Sequence, residues 1–565
     1  MSANILGGIF PESVSGFSRH SKTSYNSKKS HERGYGRYYF FILLFVFGLG
    51  LLSTRLFSLT LIEGKAYRQL ATENRIREMV ITAPRGIIYD RNDNPLVRNI
   101  PLISDPKSTT REYIYGPVLA SVLGYLGEVG PEELDIIPPL KSPDSDVYKM
   151  RDIVGKMGIE KIYDAHLRGI DGREMFEVDA ANQYIRTLGR VDPRVGASLN
   201  LTLDLDLSKK AWELLKDKKG AVVVSEPESG AVLVLYSSPS FDPNNILKGN
   251  SLSEIFDNPD RPLFNRAISG QYPPGSTFKI ITAIAGLSTG TITANTTYED
   301  TGVVTVGDYS YSNWYFTQYG KTEGSVDLVK ALRRSNDIYF YKVGEKIGIE
   351  KLAFWGKQFG LGKKLGIELA GETEGLMPDP VLQKKVKKEE WYLGNTYHTA
   401  IGQGDTLATP LQVNAWTNVI ANGGFLCRPH LNAKSKKSCL DLNLEPSHIE
   451  TVSRGMTEAC SAGGTGWPLF NFMVDNPQLK IDGVNFLEGP TASGSARPKV
   501  SIPVGCKTGT AEFGDPDNKT HAWFTAFAPS AKPQLSVTVL IEEGGEGSSV
   551  AGPIVRDILK AWFER

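Results

Sequence analysis

The sequence predicts an α+β, layered α/β architecture: an antiparallel sheet covered by helices, preceded by a transmembrane helix and an extended mixed segment. Three observations carry this. β-rich runs cluster near both ends of residues 201–565, with helical and loop-rich sequence between them; the chain closes on an amphipathic helix; and one long uncharged stretch lies near the N-terminus. The 565 residues are 41% hydrophobic and 22% charged, enough for several domains and unlike a disordered or disulfide-dense chain. Lys plus Arg and Asp plus Glu number 63 each, so no whole-chain basic field exists to gather nucleic acid, and none is expected as a partner.

Residues 1–37 carry Arg19, Lys22, Lys28, Lys29, Arg33 and Arg37 against Glu12 and Glu32 and lack apolar periodicity, which reads as a disordered tail. The run YYFFILLFVFGLGLLST (Tyr38 to Thr54) continues past Arg55 to Ile62, so 38–62 is one bilayer crossing at about 20 apolar residues per span. The basic tail places the N-terminus in the cytoplasm and everything after residue 62 outside it, in a single-pass protein of the cell membrane. A cleaved signal peptide is the competing reading, but the run starts late, is long, and lacks a small-residue cleavage site.

Residues 63–200 read as a pedestal of short mixed elements: a helical KAYRQLATENRIRE, a strand-like EMVITAP, and turn signals from Asp90 to Pro95. From Ser198, SLNLTLDLDLSKKAWELLKD passes from an alternating strand into a helix. GAVVVSEPESGAVLVLYSSPS is a hairpin turning at Glu226 to Gly230, and VGCKTGTAE, HAWFTAFAP and LSVTVLIEE are further strands. The final PIVRDILKAWFER sets Ile554, Val555, Ile558, Leu559, Trp562 and Phe563 on one stripe. Residues 430–500, rich in Gly, Pro, Ser and Asn, read as irregular excursions.

The chemistry concentrates in NRAISGQYPPGSTFKIITAIAGL. Pro273-Pro274-Gly275 cannot be helix interior, whereas Ile280, Ile281, Ile284 and Leu287 follow at helical spacing, so a helix starts close to Ser276. Ser276 and Lys279, three apart, share a face of an otherwise apolar helix. Burial there lowers the lysine pKa towards a neutral amine able to accept the serine proton, and the helix N-terminus favours an adjacent oxyanion. Alone the S-x-x-K tetrad is weak, and the bland alternative is an N-cap beside a solvated lysine. Its companions decide: Ser335-Asn336-Asp337 between two helical runs, then Lys507-Thr508-Gly509-Thr510 at the start of a strand. An ordered S-x-x-K, S-x-N/D and K-T-G set marks serine acyl-transfer enzymes acting on D-Ala-D-Ala or β-lactams.

With these motifs the sequence resembles the class B penicillin-binding proteins, monofunctional D,D-transpeptidases with a penicillin-binding/β-lactamase-like fold. APRGIIYDRNDNPLVRN (Ala83 to Asn99), VGKMGIEKIYDAHLRGIDG (Val154 to Gly172), LTLDLDL, PSFDPN, YPPGSTFK, AIGQGDTLATPLQ and KTGTAE follow in family order from anchor to last helix. WYLGNTYHTAIGQG and the S-x-D form resemble the elongation-type enzyme more than the septal one. Two departures stand out. Asn99 runs almost directly into IPLISDPKSTTREYIYG, where relatives insert a head subdomain, which puts partner contacts in doubt. Asp337 stands where many relatives have Asn; a carboxylate near Lys279 would favour its charged form, so Asp337 is expected to turn towards the substrate amide or another hydrogen-bonding partner.

The resemblance implies roles. Ser276 is the nucleophile, Lys279 the proton acceptor, Ser335 the relay to the leaving D-Ala amine, and Lys507 the holder of the hydroxyl network. Thr508 and Thr510 receive the terminal carboxylate or peptide backbone, Gly509 leaves room along the strand edge, and the backbone NH groups of Ser276 and Thr510 form an oxyanion hole. It implies no metal or organic cofactor, D-Ala-D-Ala stem peptides as substrate, β-lactams as acylating agents, and a polytopic SEDS-family glycosyltransferase as partner. The alternative is a D,D-carboxypeptidase or β-lactam-hydrolysing relative, although the deacylating Glu with following Leu-Asn of class A lactamases is not found. A β-lactam sensor would need a cytoplasmic effector domain that 37 mostly polar residues cannot supply, and an intact triad argues against a silent scaffold.

Other residues read more blandly. His398 and His521 are structural; Trp314, Trp391 and Tyr392 either line a cleft or pack; Cys506 is a small buried side chain; among Cys427, Cys439 and Cys460 one disulfide can form. VLQKKVKKEEW is a solvated face.

Overall fold

The computed structural model describes residues 35–102, 105–134, 148, 150, 152–179, 181–476, 478–480, 487–488 and 499–565. The basic tail residues Arg19 to Arg33 fall outside the described residues, as does most of 481–498. Two compact units are present: residues to 78 with 175–188, and 79–174 with 189–565.

The first unit carries α1 (Tyr35–Phe57), which continues as a wider π turn over Ser58–Ile62. Together, Gly36–Ile62 is the one helix among the described residues long and apolar enough to cross a membrane, starting two residues before the sequence-predicted span. At 1.5 Å per residue it reaches about 40 Å, more than a hydrocarbon core. Its large apolar side chains are exposed, as lipid-facing ones must be.

In the second unit the two pedestal motifs meet. Arg85 donates to Glu160 at 2.8 Å and pairs with Asp164 at 2.9 Å, while Arg111 donates to the other Glu160 oxygen at 2.7 Å; all four are buried. Strand Pro95–Leu102, which contains Asn99, pairs antiparallel with Asp105–Tyr113 where relatives insert the head subdomain.

The rest of this unit is built on α2 (Leu205–Leu215), β1 (Gly220–Ser225), β2 (Val232–Ser238), α3 (Lys279–Ser288), α4 (Leu328–Arg334), α5 (Asp337–Ile347), α6 (Pro410–Ala421), α7 (Pro446–Ala459), β3 (Gly505–Glu512), β4 (Thr520–Ala528), β5 (Leu535–Ile541) and α8 (Gly547–Phe563). The sheet runs β2-β1-β5-β4-β3, antiparallel throughout, so the β1–β2 hairpin lies beside the C-terminal strands, joined to them through β1 and β5, and β3 is left at an edge. Alternation assigns its faces. Ala522, Phe524, Ala526, Val537 and Val539 pack with α2 and α8, whereas Trp523, Phe527 and Leu540 join the core of α3, α4 and α5. The stripe on α8 is buried as expected except Trp562, which is partly covered.

Three expectations change. The predicted strand before α2 is only Leu199–Asn200, because Asp204 caps the helix by accepting from Leu207 N at 3.0 Å. Within 430–500, the 14-residue α7 replaces part of the expected irregular chain, with Ile449, Val452 and Met456 on its buried side. All four cysteines pair: Cys427 with Cys439 across two short strands, and Cys460 at the end of α7 with Cys506 on β3. Cys506 is thus a crosslink, on the face opposite Lys507.

Candidate active site

The Ser276 turn is built by its neighbours. Trp523 Nε1 donates to Pro273 O at 2.9 Å, and Gly275 N donates to Gly402 O at 2.8 Å, which brings in the AIGQG segment. Gly275 has φ +52°, a left-handed backbone that favours glycine, and a Cβ there would lie a tight 3.2 Å from Ala511 Cβ. The chain then enters a 3-10 turn over Gly275–Phe278 that becomes α3 at Lys279. The predicted helix start is therefore a tighter turn, in which positions three apart eclipse. Ser276 is half-buried and opens on the cleft; Lys279 is fully buried.

Ser335 ends α4 in the left-handed region at φ +54°, and Asn336 caps α5 by accepting from Tyr339 N at 2.9 Å. This back-to-back termination pushes the Ser335 hydroxyl into the site. Lys507 Nζ donates to it at 2.8 Å and Lys279 Nζ at 3.3 Å, with a stronger bond from Lys279 to Ser335 O at 2.7 Å. Among the described residues no hydrogen bond joins Ser276 Oγ to Lys279.

Asp337 does not turn away from Lys279. Its Oδ1 accepts from Lys279 Nζ at 2.6 Å and its Oδ2 from Trp314 N at 2.9 Å. Trp314 is the other hydrogen-bonding partner expected, but Oδ1 stays on Lys279 because α5 begins at Asp337, so its side chain projects towards α3 beside it. Burial lowers the Lys279 pKa and Asp337 opposes the fall; burial and the Lys279 charge push Lys507 well below the usual lysine range. One carboxylate thus serves two desolvated amines, which favours one ammonium over two.

β3 presents Lys507 to Thr510 along the free sheet edge. A side chain at Gly509 would meet Trp523 Cβ at 3.0 Å and Thr277 Cγ2 at 3.2 Å, so this glycine makes room for the Ser276 turn. Thr508 Oγ1 donates to Thr465 Oγ1 at 2.9 Å, and Ser548 Oγ to Thr465 O at 2.8 Å, so the loop after α7 forms a wall that sequence reasoning missed. The helical spacing of Ile449, Val452 and Met456 is the signal that would have located α7.

A cleft of about 1220 Å³ is lined by Ser276, Ser335, Asp337, Thr508, Gly509 and Thr510. Trp314, His398 and His521 line it too. Both histidines also pack: His521 stacks on Phe513 at 4.2 Å and accepts from Glu543 N at 3.2 Å, and burial lowers the pKa of each. Trp391 packs on the core, and Tyr392 is exposed. The run from Val381 to Trp391 is largely exposed, as a solvated face should be. Among the described residues no His, Cys, Asp and Glu cluster has the arrangement of a metal site.

Comparison with known proteins agrees with this geometry. The model for the penicillin binding protein transpeptidase domain matches residues 220–560, and that for the penicillin-binding protein dimerisation domain matches 100–201. The chain is 34% identical over 472 residues to the peptidoglycan D,D-transpeptidase MrdA of Acinetobacter baumannii, covering 80% of this chain and 66% of that protein. It is 30% identical over 603 residues to the Escherichia coli MrdA, covering 90% and 91%. Among solved structures, Pseudomonas aeruginosa PBP2 in complex with WCK 5153 has a TM-score of 0.70 at 32% identity, covering 86% of this chain and 96% of that one. Helicobacter pylori PBP2 in complex with MreC has a TM-score of 0.71 at 29% identity, covering 86% and 98%. An antiparallel sheet with the S-x-x-K turn, the S-x-D turn and the K-T-G edge around one cleft, matched over this length, leads to one statement: the chain belongs to the class B penicillin-binding proteins, on their PBP2-like branch.

Proposed function

We propose that this chain is a membrane-anchored peptidoglycan D,D-transpeptidase that crosslinks stem peptides through an acyl-enzyme on Ser276 and is acylated there by β-lactams. The observation that carries the reading is the meeting of two fully buried lysines, Lys279 and Lys507, on the Ser335 hydroxyl in a cleft onto which Ser276 opens. Ser276 Oγ attacks the carbonyl of the penultimate D-Ala. Lys279 takes the serine proton as it passes one to Ser335 and Lys507, and Ser335 delivers a proton to the amine of the terminal D-Ala as its C–N bond breaks. An amine from a neighbouring stem peptide then attacks the ester, loses its proton to the same network and restores the Ser276 hydroxyl.

The backbone NH groups of Ser276 and Thr510 stabilise the oxyanion, and Thr508 and Thr510 receive the donor's terminal carboxylate or backbone. The unpaired edge of β3 supports binding of the donor as an added strand. Residues 1–37 form a cytoplasmic tail, 38–62 the anchor, 63–200 the pedestal and 201–565 the transpeptidase domain, held outside the cytoplasmic membrane. The partner is a SEDS-family glycosyltransferase that supplies glycan strands; a related chain solved within a peptidoglycan synthase complex, at 25% identity and a TM-score of 0.70, supports this.

Fluorescent penicillin labelling of wild type and Ser276→Ala, followed by product analysis with a stem pentapeptide and an acceptor amine, tests the reading. Labelling that requires Ser276, with a crosslinked product, is expected. Free D-Ala without crosslink would make the chain a carboxypeptidase instead.

A further inference from the structure

Behind the Ser335 turn, and outside the cleft lining, lies a carboxylate with no part in the chemistry above. Asp300 ends the short strand Tyr298–Asp300, is 3% exposed, and has no ion pair among the described residues. Four N–H donors converge on it. Gly302 N reaches Oδ1 at 2.9 Å; Asn313 Nδ2, Asn336 Nδ2 and Glu323 N each reach Oδ2 at 2.9 Å. A buried carboxylate without a counter-ion is tolerated only when its lone pairs are filled in this way.

The arrangement fixes two amides. With their NH2 groups held by Asp300, both asparagines must present oxygen on the other side. Asn313 Oδ1 accepts from Asp337 N at 3.1 Å, and Asn336 Oδ1 accepts from Tyr339 N at 2.9 Å to cap α5. Asp300 therefore grips the residue before Asp337 in the chain and also the residue that holds the Asp337 backbone. The Asp337 carboxylate is in turn divided between Lys279 Nζ and the N–H of Trp314, which follows Asn313.

We infer that Asp300 is a positioning residue for acyl transfer: acting through Asn313 and Asn336, it fixes Asp337 and the left-handed Ser335 turn, and so the placement of the Lys279 amine. The inference rests on the acyl-transfer reading above. Asp300 touches neither the substrate cleft nor the reacting groups. At this position Asn could offer its oxygen to the three donors on Oδ2, but its NH2 would face Gly302 N, so one bond is lost; Ala loses all four and frees both amides to rotate.

The test is second-order acylation by fluorescent penicillin across pH for the detergent-solubilised full chain. The variants are Asp300→Asn, Asp300→Ala, Asn313→Ala, Asp337→Asn and the double variant Asp300→Ala/Asp337→Asn, with thermal unfolding in parallel. The charged groups facing Asp337 are Lys279 from α3 and Lys507 from β3, with the Tyr341 hydroxyl from α5 also within its field. Asp300→Ala is expected to slow acylation about 100-fold, the cost of a misplaced reacting group. Asp300→Asn falls between it and wild type. In the Asp337→Asn background the same change should cost less than about fivefold, because the group through which it acts has been altered. Equal factors in both backgrounds with an unchanged pH profile, or no loss in a folded Asp300→Ala protein, would overturn the inference. Should Asp300→Ala fail to fold, Asp300→Asn and Asn313→Ala carry the same comparison. Failure of the underlying reading shows separately, as wild type that does not label or Ser276→Ala that still does.

Discussion

Lys279 and Asp337 form a buried ion pair at 2.6 Å, whereas Lys507, which shares the Ser335 hydroxyl with Lys279, makes no ion pair among the described residues. The two amines are therefore unequal before any substrate arrives: burial lowers the pKa of both, Asp337 opposes the fall at Lys279, and the neighbouring Lys279 charge deepens it at Lys507. Acylation then depends on moving a proton between them.

Asp337→Asn removes the charge that raises the Lys279 pKa while leaving the burial that lowers it. Its pKa falls further, so the neutral amine is present at lower pH. The acid limb of the acylation profile should move down by about one pH unit, the lower end of the effect of an adjacent charge. A pH series of labelling rates checks this, and a profile matching wild type would remove Asp337 from the mechanism.

Ser335 is the single hydroxyl on which both lysines converge, so Ser335→Ala should slow acylation about 100- to 10,000-fold, the range for loss of a proton-transfer group. Because the position has φ +54°, Ser335→Gly is the cleaner variant; it suits the backbone and should lose activity equally. A labelling time course distinguishes the two, and recovery in the Gly variant would show that strain alone was responsible.

The Cys460–Cys506 bridge joins the end of α7 to the residue beside Lys507 across a 46-residue separation. Closing such a loop stabilises by about 4 kcal/mol in the chain-entropy model. The Cys460→Ser/Cys506→Ser variant should unfold at clearly lower urea, with acylation slowed because the Thr465 wall loses its tether to β3. Denaturation midpoints and labelling rates report the two effects separately.

Glu160 binds Arg85 and Arg111 in a buried cluster far along the chain from the cleft motifs. Removing one partner of a buried pair leaves an uncompensated charge, so Glu160→Ala should destabilise by about 3–5 kcal/mol. The folded fraction should still label at the wild-type rate. A slower rate per folded molecule would mean that the pedestal also shapes the site.

Local pattern determined much of this protein. The apolar run around Leu43 and Phe47 required a membrane-length helix, the near-continuous apolar run in HAWFTAFAP suited a strand buried on both faces, and the order of S-x-x-K, S-x-D and K-T-G named the reacting groups, because each of these is legible along the chain. Tertiary structure decided what depends on separation in space. It set β3 at the sheet edge, paired Cys460 with Cys506, turned Asp337 onto Lys279 instead of away from it, and gathered Asn313 and Asn336 on Asp300. The reason is physical. Which of two polar partners a buried group takes is fixed by the direction in which helices and strands deliver it, and residues 300, 313, 336 and 337 carry no periodic signal of that direction until α4 and α5 terminate against each other.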